Sequence, residues 1–342
     1  MADSAAPPPS GDFTNPFLLI TLNPDGRSLA RPPDVLLPPS PTGPVVSKDV
    51  PLGSGDGASL RLYRPRHHQQ AEPGRPLPLV VFHHGGGFAL FGAASAPYHA
   101  FCENLAAAIP AVVASVDYRL APEHRLPAAH DDAVAAVLWL RRQALPSPPP
   151  DADPWLRDRA DFSRCFLAGS SSGGNIAYHA ARRLLVEGEG AEGLLPLRIS
   201  GLILNQPFFG GAERTPSEAA SAGDRIIPLP VNDLMWELAL PEGADRDHVF
   251  CNPVLHHRRR RPEQPLLPRC LVRGYLGDPL IDRQRELAAM LEEQAEGTVA
   301  LLDREGFHGV ELFDRSKADL FFADVKRFVS SSSPPPPPPA AA

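Results

Sequence analysis

Apolar residues along this chain fall into two alternating patterns. Short runs rich in β-branched residues have the length and composition of buried strands: Leu77–Phe82, Ala111–Val116, Arg164–Ala168, Ile199–Leu204, Cys270–Tyr275 and Val299–Leu302. Longer segments between them place apolar residues at helical spacing: Ala96–Ala108, Ala129–Gln143, Gly174–Glu187, Arg283–Gln294 and Lys317–Val329. Strands alternating with helices predict βαβ units, hence an α/β fold with a mostly parallel central sheet and helices on both faces. Ligands of such sheets bind beyond the carboxyl ends of the strands. The residues just after each run are therefore where chemistry is expected.

Composition narrows the functional classes. The chain has 342 residues, 43% of them hydrophobic, enough for a large core around one sheet. Charged residues make up 21% and the formal net charge is -7, which gives no footing for a nucleic-acid partner. The one basic cluster, His256-His257-Arg258-Arg259-Arg260-Arg261, stands beside Pro262 and Pro265 and reads as a solvated loop. Cysteines at 102, 165, 251 and 270 form no CxxC motif and are too few for a disulfide scaffold, so free thiols in a reducing compartment are expected. The N-terminus lacks the charged start and apolar stretch of a secretory signal. Phe17-Leu18-Leu19-Ile20 is too short to span a bilayer. A soluble, cytoplasmic protein without a membrane partner is the expectation. Nothing in the sequence bears on oligomeric state.

Proline is abundant, with 42 residues, but unevenly placed. The segment 330–342 holds only Ser, Pro and Ala, cannot bury apolar surface, and is expected to be a disordered tail. Residues 1–12 are expected to be flexible, leaving one domain over 13–329. Pro146-Ser147-Pro148-Pro149-Pro150 reads as a surface loop.

The strongest chemical signal is Gly169-Ser170-Ser171-Ser172-Gly173, followed by Gly174-Asn175. It follows one predicted strand and opens one predicted helix, the context of the G-x-S-x-G nucleophile elbow. The spacing of the glycines selects Ser171 as nucleophile, raised above the sheet at a helix N-terminus. A second signal, His84-Gly85-Gly86-Gly87, ends the strand Leu77–Phe82. Loops of this HGGG type aim backbone N–H groups at a developing oxyanion. The candidate donors are Gly86 and Gly87, with Gly85 as a further one, and Ser172 after the nucleophile.

A serine needs a base, and the base needs an orienting carboxylate. The expected chain order is Ser, acid, His. His179 lies inside the elbow helix, and His248, His256 and His257 sit in or beside a polar stretch with no strand before them. His308, in Glu305-Gly306-Phe307-His308-Gly309, follows the strand Val299–Leu302 and is the candidate base. For the acid, Asp278 directly follows the strand Cys270–Tyr275, while Asp282 lies four residues further on at a helix start. Position favours Asp278.

Together, His84-Gly85-Gly86-Gly87, Asp117-Tyr118-Arg119-Leu120-Ala121-Pro122-Glu123-His124, the elbow with Gly174-Asn175, Asp278-Pro279-Leu280 and His308 resemble the hormone-sensitive-lipase group of α/β-hydrolases. Asn23-Pro24-Asp25-Gly26, Gln206-Pro207-Phe208-Phe209-Gly210-Gly211 and the region of Leu240-Pro241-Glu242-Gly243-Ala244 resemble its plant carboxylesterases. The likeness runs from about Phe13 to Val329. It implies an α/β-hydrolase fold with a helical cap from about 13–40 and 215–240. It also implies hydrolysis of a small carboxylic ester without cofactor or metal, and Asp278 as the triad acid. Two neighbouring classes stay open beside it: a non-catalytic small-molecule receptor like the gibberellin receptors, which lose the triad His, and a dehydratase or transacylase on the same site. One departure stands out. The family elbow usually reads Gly-Asp-Ser, and here Ser170 replaces the Asp. His83, before the glycine loop, is also unusual there and has no assigned role.

Overall fold

Leu79 and Val81 side chains point to one side of their strand, Val80 and Phe82 to the other, and all four are buried. Such a strand lies in the middle of a sheet covered on both faces. The computed structural model describes residues 15–25, 28–53, 58–66, 76–150, 152–188, 190–257 and 266–331. The expected flexible start at 1–12, most of the expected disordered tail, Gly26 and Arg258–Arg261 of the basic cluster lie outside the described residues.

The chain begins with a small antiparallel pair, β1 (Thr21–Leu22) and β2 (Leu29–Ala30). There follow β3 (Val45–Pro51), β4 (Ser59–Pro65), β5 (Leu77–His83), α1 (Ala96–Ala108), β6 (Val112–Asp117), α2 (Ala128–Gln143), α3 (Pro154–Arg159) and β7 (Ala160–Ser170). The second half holds α4 (Ser172–Arg182), α5 (Gly190–Gly193), β8 (Ile199–Asn205), α6 (Pro216–Ala220), α7 (Leu229–Ala239), β9 (Cys270–Tyr275), α8 (Ile281–Gln294), β10 (Thr298–Arg304) and α9 (Arg315–Ser330). Eight strands form one sheet in the order β10-β9-β8-β7-β5-β6-β4-β3. Only the β3–β4 and β4–β6 pairings are antiparallel; the rest are parallel.

The six predicted strands are all present, and the five predicted helices lie within a few residues of their expected bounds. Two differences have physical causes. Val299–Leu302 is a strand, but it lies in β10 at the sheet edge with one neighbour, and Val299 is largely exposed. The elbow helix stops at Arg182 and widens into a π-turn over Arg183–Glu187.

Two apolar layers clamp the sheet. On one face α2, α4 and α8 contribute Val137, Ile176 and Leu287 to the apolar layer that also holds Leu62, Leu79 and Val81 of the strands. On the other, α1 and α9 bring Phe101 within 5.2 Å of Phe321, ring to ring, over Val80, Phe82 and Phe166. Each such buried side chain contributes about 1.5–3 kcal/mol relative to exposure. This packing makes the sheet a rigid platform, and its carboxyl edge carries the loops described next.

Candidate active site

β7 ends at Ser170 and α4 begins at Ser172, so Ser171 alone makes the turn, with φ 55° and ψ −121°. A non-glycine residue held there costs on the order of 1–3 kcal/mol. The surroundings hold it in place. Ser171 N donates to Asn205 O at 2.9 Å, and Ser171 O accepts from Gly174 N and Phe208 N at 2.9 Å each. A Cβ on Gly173 would come 1.9 Å from His83 O, so only glycine lets the helix start this close to β5.

Two loops from further along the sheet edge meet this turn. Ser171 Oγ lies 2.9 Å from His308 Nε2, and His308 Nδ1 lies 2.9 Å from Asp278 Oδ2. A carboxylate only accepts, so Nδ1 carries the proton and Nε2 of the neutral ring faces the hydroxyl as acceptor. Burial alone would lower the His308 pKa; the charge and hydrogen bond of Asp278, with Asp224 and Glu311 adding, turn the net shift upward. Asp278 is itself fully engaged: Oδ1 accepts from Leu280 N, and Oδ2 also accepts from Gln284 Nε2 at 2.8 Å.

Asp282 stands apart from this group. Its carboxylate accepts from Ser217 N and pairs with Arg285 in the first turn of α8. The other downstream histidines are also elsewhere. His179 stacks on His130, His248 packs edge-on against Phe250, His256 bonds the Asp247 carbonyl, and His257 meets Glu293.

One residue in the site went unmarked in the sequence as a functional group. Gln206, buried at the end of β8 with φ 46°, donates through Nε2 to Asp278 Oδ2 (3.1 Å) and to Phe307 O (2.9 Å). Its Oε1 accepts from Gly309 N at 2.9 Å. A single amide thus grips the acid and both peptide groups flanking His308. The available signal was positional: a polar residue at a strand end next to the elbow strand.

The glycine loop is shaped by His84, whose Nδ1 donates to Gly85 O at 2.7 Å. In a trans peptide the N–H points opposite to the C=O, so Gly86 N–H faces away from that imidazole. Gly86 has φ 120°, and a Cβ there would lie 2.2 Å from Leu90 O. Gly86 lines the cavity that contains Ser171 and His308. Gly85 is placed differently: the hydroxyl of the buried Tyr98 packs against it, 2.5 Å from where a Cβ would lie. The amides of Gly86, Gly87 and Ser172 have no hydrogen-bond acceptor among the described residues. His83 proves to be a strand-to-strand link: Nδ1 donates to Ala168 O at 3.0 Å, and burial pushes its pKa down to about 4.

The cavity has a volume of about 310 Å³, at the small end of ligand pockets. Phe17, Phe91, Tyr98, Phe101 and Ile226 give it largely apolar walls around the Ser171–His308 pair. Asn15 Nδ2 donates to Arg225 O and Ile226 O at 2.8 Å each, tying the N-terminal wall to the segment before α7. Ser170, also in the lining, stands at the edge of a polar cluster built on Arg273. Its Oγ is 3.4 Å from Asn205 Nδ2, and Asn205 Oδ1 accepts from Arg273 Nη1 at 2.9 Å. The charge of Arg273 is already met by Glu311 at 3.0 Å and Asp324 at 3.1 Å.

Among the described residues, no three His, Cys, Asp or Glu side chains are grouped to hold a metal ion. No helix among them is long and apolar enough to cross a membrane. The sequence profile of the alpha/beta hydrolase fold matches residues 80–312. The chain belongs to the α/β-hydrolase family. Over 329 residues the hydrolase is 46% identical to the Arabidopsis thaliana protein named "Probable carboxylesterase 8", covering 95% of this chain and 96% of that one. Identity to a 3-O-acetylpapaveroxine carboxylesterase of Papaver somniferum is 43%, over 92% of this chain and 98% of the relative. A gibberellin receptor of Oryza sativa subsp. japonica is more distant, 35% identical over 73% and 70% of the two chains. Among solved structures, a Pyrobaculum calidifontis esterase superposes with a TM-score of 0.64 at 27% identity, covering 83% and 85%. The hydrolase is a member of the plant carboxylesterase group.

Proposed function

We propose that this hydrolase cleaves small carboxylic esters by two-step acyl transfer from Ser171. His308 takes the Ser171 proton as Oγ attacks the ester carbonyl, and Asp278 orients the ring and stabilises its cationic form. The tetrahedral oxyanion rests on the amides of Gly86, Gly87 and Ser172, each donor contributing about 3 kcal/mol to transition-state stabilisation. Gly85 completes the loop, with the buried Tyr98 hydroxyl packed against it. The alcohol departs with the proton from His308, and water repeats the sequence to release the acid. The scheme uses only groups of this chain and water. The segments at 13–40 and 215–240 act as the cap over the cavity, through Phe17 and Ile226.

The observation that carries this reading is the unbroken relay of two 2.9 Å contacts from hydroxyl to imidazole to carboxylate. Carboxylesterase relatives along nearly the whole chain support the same chemistry. Ser171→Ala is expected to reduce p-nitrophenyl acetate hydrolysis by about 10³-fold or more, read from kcat/KM. Turnover retained at the level of the unaltered enzyme would refute the assignment, and an unaltered protein that binds esters without cleaving them would favour a receptor.

A further inference from the structure

The loop that carries His308 continues through one 3-10 turn, Val310–Leu312, before α9 begins. Leu312 and Phe313 line the cavity over Ser171, and both also line a second hollow of about 280 Å³ between α1 and α9. Pro97 and Phe101 of α1 face both spaces in the same way. The partition between the reacting centre and the outer groove is therefore one side chain thick. The groove beyond it offers Ala100, Ala318 and Phe322 as apolar surface, with Asn104, Asp314 and Arg315 also in its lining.

The backbone of this partition is fixed, and its side chains are not core. Gly309 N is held by Gln206, Glu311 is held by Arg273, and Asp314 caps α9 by accepting from Ser316 N at 2.8 Å. Leu312 and Phe313 themselves are 36% and 41% exposed. Removing either opens a passage without emptying a buried layer, so the fold tolerates the change. We propose that Leu312 and Phe313 set the size limit of the substrate. With both in place the cavity accepts esters with short arms. The groove between α1 and α9 is a latent subsite for a linear apolar arm. This inference rests on the acyl-transfer reading and names the substrate class of that site.

The test compares kcat/KM for p-nitrophenyl acetate, p-nitrophenyl octanoate and octyl acetate in four proteins: the unaltered enzyme, Phe313→Ala, Leu312→Ala and Phe313→Ala with Ala100→Trp. The unaltered enzyme should favour acetate over the longest arm by about tenfold or more. Phe313→Ala should raise the long-to-short ratio by about tenfold in the acyl or the alcohol series, which identifies the arm concerned. Leu312→Ala should move the ratio in the same direction. Adding Ala100→Trp, which fills the groove from α1, should return the ratio to that of the unaltered enzyme. An unchanged ratio in both single variants overturns the proposal, as does a gain that Ala100→Trp leaves intact. Absence of any hydrolysis by the unaltered enzyme would instead overturn the Ser171 reading.

Discussion

His308 and the pair His130–His179 are all buried histidines, yet they have opposite fates. His308 sits on a loop at the carboxyl end of the sheet with Asp278 against Nδ1, and its pKa is raised. His130 of α2 and His179 of the elbow helix stack on each other, ring centroids 4.6 Å apart, and among the described residues neither bonds a carboxylate. Burial drives His130 down to about 3 and His179 well below its ordinary value, in both cases with the neighbouring cations adding to the effect. Asn175 fixes the His130 tautomer, since its Nδ2 is committed to Phe208 O and Phe250 O and its Oδ1 faces His130 Nε2. Burial alone silences an imidazole; burial beside an anchored carboxylate makes it a base. The difference lies in the partner, not in depth.

The contrast is broken most severely at the partner. Asp278→Asn leaves the ring buried but removes the charge that offsets desolvation. The expected loss in kcat is about 10²- to 10⁴-fold. The unaltered enzyme should lose kcat/KM as pH falls through a midpoint above 6.5, because the active His308 is neutral and its pKa is raised. In Asp278→Asn the residual activity should have its acid limb shifted downward. An unshifted limb would show that Asp278 does not set the pKa of the base.

A smaller effect is expected from the residue that holds the partner. Gln206→Met keeps the length of the side chain and removes its bonds to Asp278, Phe307 and Gly309. It should lower kcat by about tenfold with a lesser change in KM, since the loss falls on alignment of the relay. An unchanged kcat would reduce Gln206 to a packing residue.

The smallest effect on catalysis is expected at the silent pair. In the unfolded chain His130 takes a proton near pH 6.5, whereas in the fold it resists protonation down to about 3. The unfolded state therefore binds more protons between these limits, and stability declines as pH falls from about 6.5 toward 4. His130→Gln should flatten the decline of melting temperature over this range and leave ester hydrolysis at pH 8 nearly unchanged. An unaltered slope would mean that other groups govern acid lability.

The parts of the fold legible in the sequence are those whose burial is simple. β5 and β7 are covered on both faces, so their apolar runs are continuous and strand-like. β4 carries no such signature because it reads Leu60-Arg61-Leu62-Tyr63-Arg64, a mixed run in which Arg61 is buried against Asp49 at 2.6 Å. β3, its edge partner, keeps an exposed face beyond its first three residues. The residues proposed for the relay were legible because an elbow, a glycine loop and a strand-end His each carry a local signature. Gln206 carries none: its importance comes from two loops, at 278 and at 307–309, that meet only after folding. The pairing of Arg273 with Glu311 and Asp324 is hidden for the same reason, since those carboxylates come from distant segments.

The most direct measurement is the chemical identity of the acylated residue. The enzyme is mixed with p-nitrophenyl acetate, quenched with acid within the first turnover, digested, and its peptides are weighed. The expected result is an acetyl group on Ser171, absent from Ser171→Ala and lost again as the acid is released. Acetyl found on another residue, or hydrolysis continuing with Ser171 never modified, would contradict the Ser171 reading.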